Sequence, residues 1–160
     1  MPVLQTQIDP GSEPFARHRA QMLALIDGFR ALEGRVRDTS NAMEAKFRAR
    51  KQLLPRERVA RLLDRGSPWL ELSTLAGFRM HDDDGEKNVL GGGIVTGIGI
   101  VSGVRCMIFA SDSAIKGGTI TPMGMRKSLR AEAIALENKL PVVRLVESGG
   151  ANLMHVGEVF

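Results

Sequence analysis

The spacing of apolar residues changes along the chain, from helical periodicity in the first third to strand-like runs later. Between residues 13 and 50 the apolar positions recur at spacings of three and four, which predicts an amphipathic helix. These positions are Leu23, Ile26, Phe29, Leu32 and Val36. Gly34 and the polar residues 38–41 are expected to interrupt this helix, with Ser40 or Asn41 capping a second one. Pro55 suits the first turn of a third helix over PRERVARLLD.

Strand-like segments begin after Gly66-Ser67-Pro68. WLELSTLAG alternates briefly between apolar and polar residues, and GIVTGIGIVSG and VRCMIFASD have the β-branched content of neighbouring strands. The dipeptide Ser102-Gly103 between the last two segments predicts a hairpin turn. PVVRLVES is expected to form a further buried strand.

A helix is predicted between the hairpin and the last strand. Thr121 can cap its start, Pro122 suits its first position, and Pro141 ends it. Its core-facing side is expected to consist of Met125, Leu129, Ala133, Leu136 and Leu140. The order of helical arm, strands, helix and strand predicts an α/β fold with mixed strand pairing.

Composition and charge narrow the class of protein. The 160 residues are 43% hydrophobic and 25% charged, which is the balance of one ordinary globular domain. Lys and Arg number 22 against 18 Asp and Glu, and the net charge of +4 favours anionic partners. The single cysteine, Cys106, cannot form an internal disulfide and suits a reducing compartment.

No signal for secretion or membrane insertion is visible in the sequence. The first residues lack a basic region followed by an apolar run. Residues 91–110 are apolar enough to consider a membrane span, but their glycines and turn signal favour two strands. We therefore expect a cytoplasmic protein, or one of the mitochondrial matrix if it is eukaryotic, with no membrane partner.

Two glycine pairs follow predicted core strands. Lys116-Gly117-Gly118 comes after the second hairpin strand, and Ser148-Gly149-Gly150 comes after the last strand. Ligands gather at the carboxyl ends of strands in α/β folds, and glycines leave backbone N–H donors open to them. Donors from two such loops can stabilise an oxyanion such as an enolate. Spacing alone favours the alternative, two structural turns.

Charged residues near the two glycine pairs allow two interpretations each. Arg126, Lys127 and Arg130 lie early in the predicted helix, where a phosphate would be favourable beside the helix N-terminus. The alternative for them is a solvated basic face. Glu147 has the position of a general base, but we favour a role in holding the loop by accepting backbone N–H bonds.

Other functional motifs are absent or incomplete. Gly97 and Gly99 fit part of a dinucleotide fingerprint, but Ser102 stands where its third glycine belongs. The sequence contains neither a phosphate-loop pattern nor a GxSxG nucleophile elbow. We interpret His81 and the three aspartates after it as a solvated turn, so no metal site is predicted.

Three segments of the chain carry a family pattern. They are LLPRERVARLLDRGSPWLELSTLAG, GGGIVTGIGIVSGVRCMIFASDSAIKGGTITP and RLVESGGANL. In this order and spacing they resemble the carboxyltransferase (β) subunits of biotin-dependent acyl-CoA carboxylases, over roughly residues 17–160. Ala151-Asn152 is similar to the methylcrotonyl-CoA or geranyl-CoA branch, whereas the propionyl-CoA and acetyl-CoA branches usually read Gly-Gly-Ala-Arg.

The resemblance implies a crotonase-like ββα superhelix and transfer of carboxylate from carboxybiotin to the α or vinylogous γ carbon of an acyl-CoA thioester. It implies that Gly149 and Gly150 form an oxyanion hole for the enolate. The residues it places beside the acyl-CoA substrate are Lys116, Gly117, Gly118, Arg126, Lys127 and Ala151. It also implies biotin on a partner, a biotin carboxylase/biotin carrier subunit, and a homo-oligomer of the full-length subunit.

The resemblance extends over only part of the family subunit, which has two crotonase-like halves. We expect a helical arm over residues 1–50, then the first part of the amino-terminal half over residues 51–160, truncated and inactive alone. Such a chain would be a truncated reading frame, an engineered fragment or one piece of a split subunit. The alternative function is a non-catalytic module that docks carboxylase subunits. RNA binding by the basic helices is less favoured because only 4% of the residues are aromatic.

Overall fold

A computed structural model describes residues 5–80 and 90–150 of the chain. Internal contacts divide the chain into two compact units, residues 1–34 and 35–160. The division between an arm over 1–50 and a domain over 51–160 stays a prediction from the sequence. Of the helices among the described residues, none has the length and apolar character that a membrane span requires.

The first helix is longer than predicted. α1 spans Glu13–Asn41 and continues through Gly34, so the expected interruption at Gly34 is wrong. A glycine inside a helix costs about 1 kcal/mol relative to alanine, and burial of Val36 and Ser40 beyond it offsets that cost. Ser40 does not cap the next helix, because its hydroxyl donates to Asp112 Oδ1 at 3.1 Å.

Two short helices follow α1. α2 spans Glu44–Ala49 and begins after Met43 without a side-chain cap. α3 spans Pro55–Leu62 and confirms the prediction of a helix that starts at this proline. Glu57 in its first turn accepts a hydrogen bond from the Leu54 N–H group at 2.8 Å, which satisfies a backbone donor at the helix start.

The strands form one mixed sheet. They are β1 (Leu70–Leu72), β2 (Ile94–Val101), β3 (Val104–Ser111) and β4 (Val142–Leu145), in the spatial order β1-β2-β3-β4. β2 pairs antiparallel with β1 and with β3, which confirms the predicted hairpin, and β4 pairs parallel with β3. The carboxyl ends of β3 and β4 therefore lie at the same edge of the sheet.

The helix α4 (Pro122–Glu137) connects β3 to β4. Its start confirms the predicted cap, since Gly124 N–H donates to Thr121 Oγ1 at 3.0 Å. The predicted core-facing side is wrong, because Leu129 and Leu136 are exposed. The buried side carries Ala131 and Ala135, whose small side chains let the helix pack closely on the sheet.

β3 is the centre of the hydrophobic core. Cys106, Ile108 and Ala110 form one cluster with Val59 of α3. The residues between them, Met107 and Phe109, form a second cluster with the alanines of α4. This alternation follows from the two-residue period of a strand and places α3 and α4 in contact with opposite faces of the sheet.

The hairpin turn is held by a carboxylate outside the hairpin. Asp64 Oδ1 accepts the N–H group of Ser102 at 2.8 Å, and Oδ2 accepts that of Gly103 at 2.7 Å. Replacing Asp64 by alanine is expected to lower the free energy of unfolding by about 2 kcal/mol, because two charge-assisted hydrogen bonds are lost. Asp64→Asn keeps one acceptor and should cost about half as much. Urea unfolding measures both, and an alanine variant as stable as the wild type would contradict this role.

Candidate active site

The structure brings the two glycine pairs together at the carboxyl ends of β3 and β4. The loop after β3 contains Gly117 and Gly118, and the corner after β4 contains Gly149 and Gly150. Gly149 N–H donates to the carbonyl oxygen of Gly117 at 3.0 Å, and Ile120 N–H donates to that of Gly150 at 2.9 Å. These two backbone bonds join the loop and the corner directly.

The approach between the two segments requires glycine at one position in particular. Gly118 has φ +71, and a Cβ atom there would lie 2.3 Å from the carbonyl oxygen of Glu147. That distance is far inside van der Waals contact, so a side chain would separate the loop from the corner. Gly117 has φ +66 but open space around its Cβ position. Glycine is therefore favoured there by the left-handed backbone conformation and not by a close approach of another segment.

The two N–H groups predicted to form an oxyanion hole both have acceptors within the chain. Gly149 N–H is bonded to the carbonyl oxygen of Gly117 as described, and Gly150 N–H donates to Ser148 Oγ at 3.1 Å. The second bond is the easier one to exchange, because Ser148 is exposed and its hydroxyl can rotate to another partner. Gly150 is therefore the more accessible donor of the two.

A cleft of about 500 Å³ lies on one side of the corner. Lys46 and Arg50 of the α2 region line it together with Lys116 of the loop. Gly117 and Gly149 also line the cleft. The cationic side chains at Lys46, Arg50 and Lys116 are exposed at the cleft surface. We call this space the basic cleft, and its charge suits a phosphorylated ligand.

A smaller cavity of about 270 Å³ also adjoins the corner. Its apolar lining is provided by Ile94, Ile120, Met125 and Val146, and the ion-paired Glu132 and Arg144 line it too. Ser148 lines both this space and the basic cleft, so both spaces adjoin the corner. We call the smaller space the apolar cavity.

Glu147 lines the basic cleft as well and anchors the corner through its side chain. Its carboxylate accepts from Arg58 NH1 at 3.0 Å and from Gln52 Nε2 at 3.3 Å. Both donors belong to the region around α3, so the carboxylate ties the corner to a helix packed on the sheet. The preference for a loop-holding role over a general base agrees with these contacts, although the donors are side chains and not backbone N–H groups.

Lys127 lies in the interior, which does not fit the expected contact with a CoA phosphate. Only 4% of the residue is exposed, and Nζ donates to the carbonyl oxygens of Gly91 at 3.1 Å and Ile94 at 2.7 Å. Burial lowers the pKa of Lys127 to about 8, although the negative charge of Glu71 acts to raise this pKa. We therefore assign Lys127 a structural role.

Arg126 is exposed on the first turns of α4 and lines neither the basic cleft nor the apolar cavity.

A cluster of charged side chains lies beneath the loop after β3. Arg56 Nη2 donates to Glu71 Oε1 at 2.6 Å, and Arg56 Nη1 lies 3.8 Å from Asp112 Oδ2. Burial raises the pKa of Asp112 above its ordinary value, while the Arg56 guanidinium and the Ser40 hydroxyl oppose this shift. Because Asp112 N–H also donates to Gly93 O at 3.0 Å, the cluster fixes the point at which the chain leaves β3.

Comparison with known proteins identifies the family to which this arrangement belongs. Residues 46–160 match the family model described as the carboxyl transferase domain. The chain belongs to this family. The matched range contains α2 from Lys46 onward, both glycine pairs and every residue named above as lining the basic cleft and the apolar cavity.

Named relatives and a solved structure narrow the resemblance within the carboxyl transferase family. The chain is 42% identical to the probable mitochondrial methylcrotonoyl-CoA carboxylase beta chain of Drosophila melanogaster, over 99% of this chain and 27% of that protein. It is 54% identical to the biotin-dependent 3-methylcrotonyl-coenzyme A carboxylase beta1 subunit of Mycobacterium tuberculosis, over 70% of this chain and 20% of that one. The crystal structure of the P. aeruginosa geranyl-CoA carboxylase beta subunit matches with 55% identity and a TM-score of 0.86, over 99% of this chain and 29% of that one.

These matches confirm the predicted family and the predicted mixed α/β carboxyltransferase fold. They also show that the chain spans less than a third of the length of each of these relatives. Transcarboxylase 12S, at 21% identity and a TM-score of 0.73, shares the fold.

Sequence reasoning missed part of the candidate site. Lys46 and Arg50 follow the predicted start of the second helix and received no role of their own, although their spacing of four residues places them on one side of a helix. Asp112 was missed too, although a polar residue directly after a buried strand is a signal for a site at the sheet edge. Ala151 and the predicted turn at His81 lie outside the described residues.

Proposed function

We propose that this chain supplies the acyl-CoA side of a carboxyltransferase centre in a biotin-dependent acyl-CoA carboxylase. One observation carries the proposal: the glycine corner adjoins both a basic cleft and an apolar cavity, since Ser148 lines the two. An acyl-CoA has the matching order of parts, with anionic phosphates at one end, a thioester, and an apolar acyl group at the other.

The CoA phosphates are assigned to the basic cleft. Lys46, Arg50 and Lys116 approach it from a helical region and from a loop, so they can surround one phosphorylated group. Charge-assisted hydrogen bonds to phosphate are roughly twice as strong as neutral ones. Arg126 on α4 is the second candidate for a phosphate contact, and the variants below separate the two assignments.

The acyl group is assigned to the apolar cavity, with the thioester at the corner between them. The cavity of about 270 Å³ has room for a branched or extended acyl chain against its apolar residues, and its two charged lining residues, Glu132 and Arg144, are paired with each other. The relatives are named for methylcrotonoyl-CoA and geranyl-CoA. We therefore favour a branched, unsaturated acyl-CoA. Its conjugated double bond delocalises the negative charge between the thioester and the γ carbon.

The corner is assigned to the thioester oxygen. Removing a proton from the α or vinylogous γ carbon moves negative charge onto that oxygen, where preorganised N–H donors lower the barrier by about 3 kcal/mol each. Gly150 N–H is the first donor, because the exchangeable hydroxyl of Ser148 now accepts from it. Gly149 N–H joins when its bond to the Gly117 carbonyl opens, and Lys116, Gly117, Gly118 and Ala151 border the bound substrate.

Biotin, which carries the carboxylate to be transferred when it is bound, is placed outside the described residues. Both spaces that adjoin Ser148 are used by the acyl-CoA in this assignment, so we assign none of the described residues to the biotin ring. We propose that a biotin carboxylase/biotin carrier subunit delivers it and that the full-length subunit is a homo-oligomer. The compartment is then the bacterial cytoplasm or, as the names of eukaryotic relatives indicate, the mitochondrion.

Calorimetric titration of the chain with CoA tests the phosphate assignment. Arg50→Gln and Lys116→Gln are each expected to weaken binding about tenfold, the effect of losing about 1.4 kcal/mol of charged hydrogen bonding. Arg65→Gln, an exposed arginine outside the cleft, is the matched control and should bind like the wild type. Loss of binding in Arg126→Gln alone would move the phosphates to α4, and no binding of CoA by any protein would contradict the proposed function.

A further inference from the structure

Two charged residues line the apolar cavity. Glu132 belongs to α4 and Arg144 to β4, and their side chains form an ion pair with each other. Neither has a part in the proposed binding of the CoA phosphates or of the thioester. Charged groups are costly to cover with apolar material, so their place along the cavity decides how they affect an acyl group.

The helix places Glu132 at the end of the cavity furthest from the glycine corner. α4 begins at the edge of the sheet where β3 ends, and it runs back along the sheet because β4 is parallel to β3. Met125, Ser128 and Glu132 line the cavity at spacings of three and four residues, which is one side of the helix. Glu132 is the last of the three and lies roughly 10 Å beyond Met125, since seven residues make about two helical turns.

The strand gives Arg144 the same position. In the segment that leads into the corner, Arg144, Val146 and Ser148 line the cavity. Alternate residues of a strand share one face, and four residues of extended chain span roughly 13 Å. Arg144 is therefore the residue of this segment that lies deepest in the cavity as seen from the corner.

Two contacts hold Arg144 across this end of the cavity. Its guanidinium lies over the ring of Phe109, 4.2 Å from the ring centroid, and Nη2 donates to Glu132 Oε1. Phe109 is itself 2% exposed and packs in the core cluster beneath α4. The ion pair thus connects the strand to the helix and bounds the space between them.

The pair is hydrated, which limits what can be placed against it. The side chains of Arg144 and Glu132 are 44% and 45% exposed. An acyl chain that grows along the cavity gains affinity from each CH₂ group that it buries. When the chain reaches the pair, further growth removes water from two charges, and this desolvation opposes the gain.

We propose that the Glu132–Arg144 ion pair ends the acyl cavity and sets the longest acyl chain that the site accepts. This inference rests on the proposed assignment of the acyl group to the apolar cavity. The two residues determine specificity through the end of the acyl group, so they leave the binding of CoA itself unchanged.

Calorimetric titration of the chain with straight-chain acyl-CoAs, from butyryl-CoA to dodecanoyl-CoA, tests the proposal. The wild-type affinity should rise about fourfold for each added CH₂ group up to one chain length, and then stop rising. The double variant Glu132→Ala with Arg144→Ala opens the end of the cavity. Its affinity should continue to rise over at least two further CH₂ groups, so that it binds dodecanoyl-CoA about tenfold more tightly than the wild type or better.

Three further variants separate the ion pair from other effects. Arg144→Lys keeps a cation beside Glu132 and should stop gaining affinity at the wild-type chain length. Glu132→Gln with Arg144→Met removes the pair but keeps a long side chain over Phe109, so it repeats the test with less disturbance of the packing. Arg130→Met with Glu137→Gln removes the same two charges from exposed positions of α4 outside the cavity, and should follow the wild type.

The possible outcomes distinguish this inference from the proposed function. If the variants that lack the pair stop gaining affinity at the wild-type chain length, the inference is overturned while the acyl assignment stands. A wild-type affinity that rises through the whole series, or an equal extension in the Arg130–Glu137 variant, also overturns it. A wild-type affinity that is the same for every chain length would instead contradict the assignment of the acyl group to the apolar cavity, and the inference would fall with it.

Discussion

Replacing Gly118 by alanine is expected to lower the free energy of unfolding by about 3 kcal/mol, as overpacking and a strained left-handed backbone add. The new Cβ atom would lie 2.3 Å from the carbonyl oxygen of Glu147, at φ +71. The corner must then move away from the loop, which breaks the bond from Gly149 N–H to the Gly117 carbonyl. Urea unfolding measures the loss, and hydrogen exchange of the Gly149 amide reports the separation.

Gly117→Ala is the matched control for this variant. The residue has φ +66, but no atom lies within 4 Å of its Cβ position. Only the backbone strain remains, so the expected loss is about 1 kcal/mol and the Gly149 amide stays protected. Equal destabilisation by the two substitutions would contradict the close approach of loop and corner at Gly118.

Replacing Lys127 by methionine is expected to lower the free energy of unfolding by about 2 kcal/mol at pH 7, since the carbonyl oxygens of Gly91 and Ile94 lose a charged donor. The long apolar part of the side chain is retained by methionine, so the loss reports the ammonium and not the packing. Arg130→Met on the exposed side of the same helix is the matched control, with a change within about 0.5 kcal/mol.

The pH dependence of stability gives Lys127 a second signature. Burial lowers its pKa in the folded chain to about 8 from 10.5, so between these values the unfolded chain binds more protons than the folded one. Stability contributed by this group therefore rises with pH across that window. Glu71, Arg56 and Asp112 face the ammonium. Unfolding of the wild type and Lys127→Met between pH 7 and 10 should differ in slope, and identical slopes would contradict the buried ammonium.

Local signals predicted the elements on which the site is built. The hairpin was predicted from Ser102-Gly103 between two β-branched segments, and the start of α4 from Thr121 followed by Pro122. Both depend on the backbone preferences of neighbouring residues, which sequence displays directly. The structure confirms the hairpin. The parallel pairing of β3 with β4 then places the two glycine pairs at a common edge of the sheet.

Features decided by tertiary packing were not predicted. α1 continues through Gly34 because Val36 is buried beyond it, and that burial depends on residues far along the chain. The apolar residues of α4 formed two possible stripes, and the sheet selected the one with Ala131 and Ala135, leaving Leu129 exposed. Periodicity shows that a helix is amphipathic, but it does not say which of two apolar stripes has a partner.

The site itself was predicted in part. The convergence of the two glycine pairs follows from their positions at strand ends. The basic cleft does not, because Lys46 and Arg50 reach Lys116 only through the packing of the α2 region beside the loop. Lys127 and Arg126 are adjacent in sequence, yet one is buried and the other exposed, since successive helical residues point in different directions.

The central claim is that the glycine corner receives the thioester oxygen of an acyl-CoA bound across the basic cleft and the apolar cavity. The most direct measurement is the amide spectrum of the ¹⁵N-labelled chain, titrated in parallel with CoA and with 3-methylcrotonyl-CoA. Both ligands should shift the amide of Lys116 at the cleft, and only the thioester should shift that of Gly150 strongly, with a smaller change at Gly149. Equal shifts of Gly150 with both ligands, or none with either, would contradict the claim.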